Sequence, residues 1–113
     1  MAESQTKTIE PEITVLPIKG RLNLGTNLTF LEIEIKKLID SGAKKLILDL
    51  TELSYIDSAG IGMLMNMWGQ ANNAGGKLAV AGAKGAVAES FSIVHLDRVI
   101  PLFPDVTSAS ASL

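Results

Sequence analysis

The chain has 113 residues, 47% hydrophobic and 19% charged, a balance that belongs to one compact globular domain and excludes a disordered tail. Ten Lys and Arg against 12 Asp and Glu leave a formal charge of −2 with no basic run, so the field that draws nucleic acid or anionic lipid is missing. Cysteine is absent and histidine occurs once, which excludes disulfides, thiolate metal sites and a histidine metal site.

The first seven residues hold no apolar signal core. No apolar run approaches the roughly 18 to 20 residues that cross a bilayer, so no direct membrane insertion is expected and a cytoplasmic setting is. A single domain over 1–113 is expected, with its core at about 6–105 and with 1–5 and 106–113 frayed or weakly ordered. Residues 6–9 suit a short edge strand, and Glu10-Pro11-Glu12 suits a turn. Residues 13–18 are apolar and β-branched and read as a strand; Pro17 removes a ladder donor, which points to an edge position or a bulge. Residues 20–25 read as a connection. Thr26 or Asn27 can cap the next helix, whose Leu28, Leu31, Ile35 and Leu38 keep to one face, with Gly42 as its stop.

Residues 45–50 form the next strand, and 51–57 a loop. A helix follows from Ser58 to about Ala74, ended by Gly75-Gly76. Its expected buried face is Ile61, Leu64, Met65 and Trp68, with Met63 and Met67 at the edge of the core. Lys77-Leu78-Ala79-Val80-Ala81 is a strand. Residues 86–94 carry Val87, Phe91 and Val94 at helical spacing. Residues 98–100 suit a short last strand before Pro101 and Pro104, and 105–113 suit one weak helix or a frayed end.

Strands separated by helices of this length pair in parallel through right-handed crossovers. Leu78 and Val80 alternate with smaller or polar neighbours, so one sheet face is well filled and the other thinly. The expected class is α/β: a single-layer mixed, mostly parallel sheet of four or five strands with helices mainly on one face.

Ser58 stands where loop becomes helix, exposed beside a positive helix end, a natural place for a phosphate. As an N-cap its hydroxyl could accept from an N–H one turn on. Asp57 beside it would repel an added phosphate. Thr26, Asn23 and Ser54 are placed near the same end of the sheet, and Phe30 and Ile33 lie off the apolar stripe of the first helix. Enzyme readings fail on residue type. The one histidine, His95, is far in sequence from Ser58, the Gly-x-Ser-x-Gly elbow is absent, and Gly75-Gly76-Lys77 lacks the spacing of a phosphate loop. No cofactor and no metal is expected.

Leu48-Asp49-Leu50, the loop over 51–57 and then Asp57-Ser58-Ala59-Gly60-Ile61-Gly62 resemble the signature of the STAS domain, whose members include bacterial anti-sigma-factor antagonists. Ile18-Lys19-Gly20-Arg21-Leu22-Asn23, Gly75-Gly76-Lys77-Leu78 and the stretch from His95 to Phe103 are similar to the family in order and spacing. The resemblance implies a non-enzymatic, protein-binding regulator of transcription. Its serine, by position Ser58, is phosphorylated by a partner that is both anti-sigma factor and serine kinase. The unmodified form binds that partner, the phosphorylated form does not, and a phosphatase resets the switch. Asp57, Ala59, Gly60, Asn23, Thr26 and Ser54 are expected at the partner surface, with turn and cap roles as the alternative for Asp57, Asn23, Thr26 and Ser54. The chain departs from the family in having Asn23 where members often carry aspartate, and Ala59 where many carry a second serine. The other clients open to such a module are a stress-signalling complex, a two-component system or a lipid transporter. A further alternative is a small-ligand or nucleotide domain using the same helix end.

Overall fold

The computed structural model describes residues 6–10 and 12–113. The expected fraying of 1–5 and the Pro11 position of the expected turn lie outside the described residues. The described residues form seven strands and four α-helices. They are β1 (Lys7–Glu10), β2 (Ile13–Pro17), β3 (Gly20–Leu22), α1 (Thr26–Asp40), β4 (Lys45–Asp49), β5 (Leu53–Ile56), α2 (Ser58–Asn73), β6 (Lys77–Ala81), α3 (Gly85–Ile93), β7 (Leu102–Phe103) and α4 (Val106–Ser112).

The main sheet runs β1-β2-β4-β6-β7, and only β1 is antiparallel to its neighbour. From β2 onward each new strand joins on the same side. Right-handed crossovers wound in one direction put α1, α2 and α3 on one face. That face holds the larger core. Leu16, Leu46, Leu48, Leu78 and Val80 from the strands meet Leu31 and Ile35 of α1, Leu64 and Met67 of α2, and Val87 and Phe91 of α3. Burying each large side chain there contributes about 1.5–3 kcal/mol. The other face carries a smaller cluster of Ile13, Val15, Ile47 and Ala81, covered by Ala109 of α4 with Phe103, Val106 and Leu113 around it. The stretch 105–113 is therefore a helix in its main part. Asp105 caps it by accepting from Ser108 N–H at 2.8 Å. The uneven filling of the two faces matches the alternation along β4 and β6.

Several local expectations are corrected. Pro17 lies in an internal strand, yet β1 pairs no further than Val15 among the described residues, so the donor that Pro17 lacks has no strand to serve there. The stretch 51–57 is not all loop: Leu53–Ile56 pairs in parallel with Gly20–Leu22 as a separate two-stranded sheet. In β5 the buried Leu53 and Ile56 flank the exposed Ser54 and Tyr55, a pattern with no period of two to read. The short last strand is Leu102–Phe103, not 98–100. Leu96–Arg98 forms a 3-10 turn instead, and Ile100 N–H bonds back to the Leu96 carbonyl at 2.9 Å.

In α2, Met65 is exposed by 41% and Trp68 half-buried, while Met63 and Met67 are buried. Ile61 and Leu64 are buried as expected, and the buried face is Gly60, Ile61, Met63, Leu64, Met67 and Ala71. Gly60 sets this rotation. A Cβ there would stand 2.7 Å from the Leu22 carbonyl oxygen and from Ile56 Cγ1, so only a residue without one lets the helix lie this close to β3 and β5. At the far end α2 stops where Gly75 takes φ 81, open to glycine at no steric cost.

Candidate functional site

The site is the corner where β3 and β5 end and α1 and α2 begin. Asp57 organises it. Its N–H donates to the Leu22 carbonyl at 3.2 Å, which fixes the end of β5 against β3. Its backbone is extended, so the carboxylate turns back over the first turn of α2 and accepts from Gly60 N–H at 2.9 Å through Oδ1. Oδ2 accepts from Leu24 N–H at 3.1 Å, across 33 residues of sequence. These N–H donors, Gly60 first and Leu24 second, hold the Asp57 carboxyl below its ordinary value of 3.8. One side chain thus caps a helix and ties the β3–α1 loop to it.

Asp57 is therefore the N-cap of α2, and Ser58 is its first residue, not the cap. The carboxylate, an ionised acceptor, takes the first-turn N–H that the Ser58 hydroxyl was expected to serve. Ser58 itself is exposed. Its hydroxyl stands at the positive end of a 16-residue helix, open to an approaching enzyme.

The other expected residues divide. Asn23 sits between Leu22 and Leu24, both bonded to Asp57, and is half-buried at the corner. Thr26 is exposed at the start of α1 and caps nothing; Gly25 holds the cap position. The tether on Leu24 leads into a turn in which Gly25 takes φ 145, a backbone that glycine adopts without strain, and the helix begins one residue on. Glu32 to Asn66 and Lys36 to Gln70, each 34 positions apart, align α1 beside α2 in the same direction. The same offset sets Thr26 level with Gly60, in the first turn of α2. Ala59 is half-buried beside Ser58, and Gly60 is buried, where it permits the close packing of α2 on Leu22 and Ile56. Ser54 is not brought to the corner. Its hydroxyl donates to the Gly20 carbonyl at 2.9 Å, near the start of the small sheet.

Two features lay outside the sequence expectations. Leu24 is 79% exposed yet anchored through its N–H. An apolar residue inside a polar turn was the available signal. Arg21 stacks over the Tyr55 ring at 4.2 Å on the outer side of the small sheet, through the register that pairs β3 with β5. His95 lies beyond α3, at the 3-10 turn. A cleft of about 370 Å³ lies between α3 and β7, lined by Phe91, Ser92, Asp97 and Phe103, with no residue of the corner in it. Among the described residues no cluster of His, Cys, Asp and Glu is fit to hold a metal ion, and no helix is long and apolar enough to cross a membrane.

Comparison with known proteins places the chain among relatives. The family model described as the STAS domain matches residues 4–109. A Bordetella bronchiseptica protein named for the anti-sigma factor antagonists, BtrV, is 30% identical over 95 residues, covering 84% of this chain and 81% of that one. An anti-sigma factor antagonist from Mycobacterium paratuberculosis superposes with a TM-score of 0.88 at 18% identity, covering 99% of this chain and 93% of that one. The Bacillus cell fate determinant SpoIIAA in its phosphorylated form superposes with a TM-score of 0.73 at 17% identity, covering 98% of this chain and all of that one, 100%.

Proposed function

The chain belongs to the STAS domain family, and from that membership we propose that it is an anti-sigma-factor antagonist switched at Ser58. Unmodified, it binds an anti-sigma factor that is also a serine kinase, and so frees a sigma factor. The kinase ends the contact by phosphorylating Ser58. The Ser58 Oγ–P bond forms as a nucleoside triphosphate gives up its terminal phosphoryl group and leaves as the diphosphate, and the hydroxyl proton passes to a base on the kinase. A phosphatase restores the hydroxyl by hydrolysis. The chain works in the cytoplasm, as the substrate and ligand of other proteins.

The observation that carries this reading is the exposure of Ser58 at the first position of α2. A phosphate adds about −1.5 to −2 charges near neutral pH. Unpaired N–H groups at the helix end can receive it, and a phosphorylated relative keeps this fold. The charge then stands next to the Asp57 carboxylate, inside the surface formed by Asp57, Ala59, Asn23 and Thr26. An unpaired charge in a desolvated contact costs several kcal/mol, and about 1.4 kcal/mol is tenfold in affinity. Binding is lost without refolding.

The test uses the purified anti-sigma kinase of the same genome with wild type, Ser58→Ala and Ser58→Asp. Ser58→Ala is expected to bind and to resist phosphorylation, and Ser58→Asp to bind at least tenfold more weakly. Equal binding by all three would overturn the switch.

A further inference from the structure

Leu24 and Ser58 are coupled through a single carboxylate. Asp57 Oδ1 holds Gly60 N–H, and Oδ2 holds Leu24 N–H at 3.1 Å. Leu24 is the most exposed large apolar side chain among the described residues, at 79%. Exposed leucines standing singly are ordinary. This one is fixed from behind by a charge-assisted bond, which is a construction for presenting a side chain. We propose that Asp57 is a positioning residue that reports the state of Ser58 to the β3–α1 loop. With Ser58 unmodified, Asp57 holds Leu24 as an ordered apolar contact for the kinase. With Ser58 phosphorylated, the Asp57–Leu24 bond opens and the contact loses its fixed position.

The physical cause is competition. A phosphate on the first residue of α2 meets the same first-turn N–H groups that Asp57 uses. It brings up to two negative charges beside an existing one, and like charges at this separation repel. Gly60 N–H lies inside the helix turn and has a new acceptor at hand. Leu24 N–H comes from a separate loop and has no such alternative in the first turn. The weaker tie is therefore the one across the loop. Loss of Leu24 adds to the repulsion at Ser58, so the phosphate removes an attraction as well as adding a charge. This inference rests on the antagonist reading for the identity of the partner, but its central step concerns this chain alone.

The test is made on the full chain carrying phosphoserine at position 58, on Asp57→Asn and on wild type, by amide hydrogen exchange of Leu24. Asparagine remains a good N-cap but has one acceptor oxygen instead of two, so it keeps the Gly60 bond and gives up Leu24. Exchange at Leu24 is expected to rise about tenfold in both altered chains, with the helix amides of α2 unchanged. Leu24→Ala is expected to bind the purified kinase about tenfold more weakly and to leave the exchange of α2 as it was. An unchanged Leu24 amide in the phosphoserine chain overturns the coupling, even where the kinase distinguishes the two forms. Full kinase affinity in Leu24→Ala overturns the docking role. A freed Leu24 in a chain whose binding ignores phosphate supports the coupling and refutes the antagonist switch.

Discussion

Replacing Gly60 by alanine tests the closest approach on which the corner depends. The added Cβ would stand 2.7 Å from the Leu22 carbonyl oxygen and 2.7 Å from Ile56 Cγ1, against an ordinary contact of at least 3.4 Å, so the neighbours must withdraw by about 0.7 Å. The carbonyl cannot withdraw alone. It belongs to β3, which is paired with β5, and it accepts the Asp57 N–H at 3.2 Å. Overpacking of this kind costs about 3 kcal/mol, at the upper end of its usual range, because one contact is with backbone. Alanine returns about 1 kcal/mol through its higher helix propensity. The net loss is about 2 kcal/mol, or roughly 8 °C in Tm for a domain of this size. Gly62, two residues on and on the exposed side of the same helix, has nothing within 4 Å of a Cβ. Gly62→Ala therefore gains helix propensity with no clash, about 1 kcal/mol or some 4 °C. Thermal unfolding by circular dichroism reads both. The expected result is opposite signs for two Gly→Ala changes in one helix. Equal shifts, or a Gly60→Ala chain more stable than wild type, would refute the packing account of the corner.

Other consequences follow from the same geometry. Asp57 and Asp105 are both held below the ordinary 3.8 by hydrogen bonds, from Gly60 and Leu24 N–H in the first case and from Ser108 in the second. A lowered folded value means stability that is present above the unfolded value near 3.8 and is lost as pH falls through the folded one. Melting temperature against pH should drop below about pH 4, and Asp57→Asn with Asp105→Asn should flatten that drop; an unflattened curve contradicts the assignment. His95 takes φ 55 and ψ 46, a left-handed conformation that costs a side-chain-bearing residue about 1–2 kcal/mol. His95→Gly should raise stability by about 0.5–1 kcal/mol in urea unfolding, after allowing for the freer unfolded chain. Ile47, fully buried under α4, should cost about 2–5 kcal/mol when changed to alanine, as a core position and not an open sheet face would.

Much of the fold was legible because long elements announce themselves. The apolar runs of β4 and β6, the helical spacing of α1 and the paired glycines after α2 lie where the residues place them. The elements that were not legible are short or are set by distant contacts. β3 and β5 have three and four residues, and their partner is each other. The rotation of α2 depends on how near Gly60 comes to Leu22, which no window of sequence contains. At the corner, Ser58 was expected to be exposed where loop becomes helix, and it is exposed at the first position of α2. The cap was placed one residue too late, because the competition between a carboxylate and a hydroxyl for the same N–H groups is settled by backbone geometry. Leu24 was missed for the same reason: its bond to Asp57 spans 33 residues. Ser54 was placed at the corner, but its hydroxyl is engaged at the opposite end of β5.

The most direct measurement of the central claim is a titration of the purified kinase with unmodified chain and with chain carrying phosphate at Ser58. The modified chain is expected to show a Kd higher by about a hundredfold, as for a charge left unpaired in a desolvated contact, with the far-ultraviolet spectrum unchanged. The same Kd for both forms, or a phosphate found by mass spectrometry at a residue other than Ser58, would contradict it.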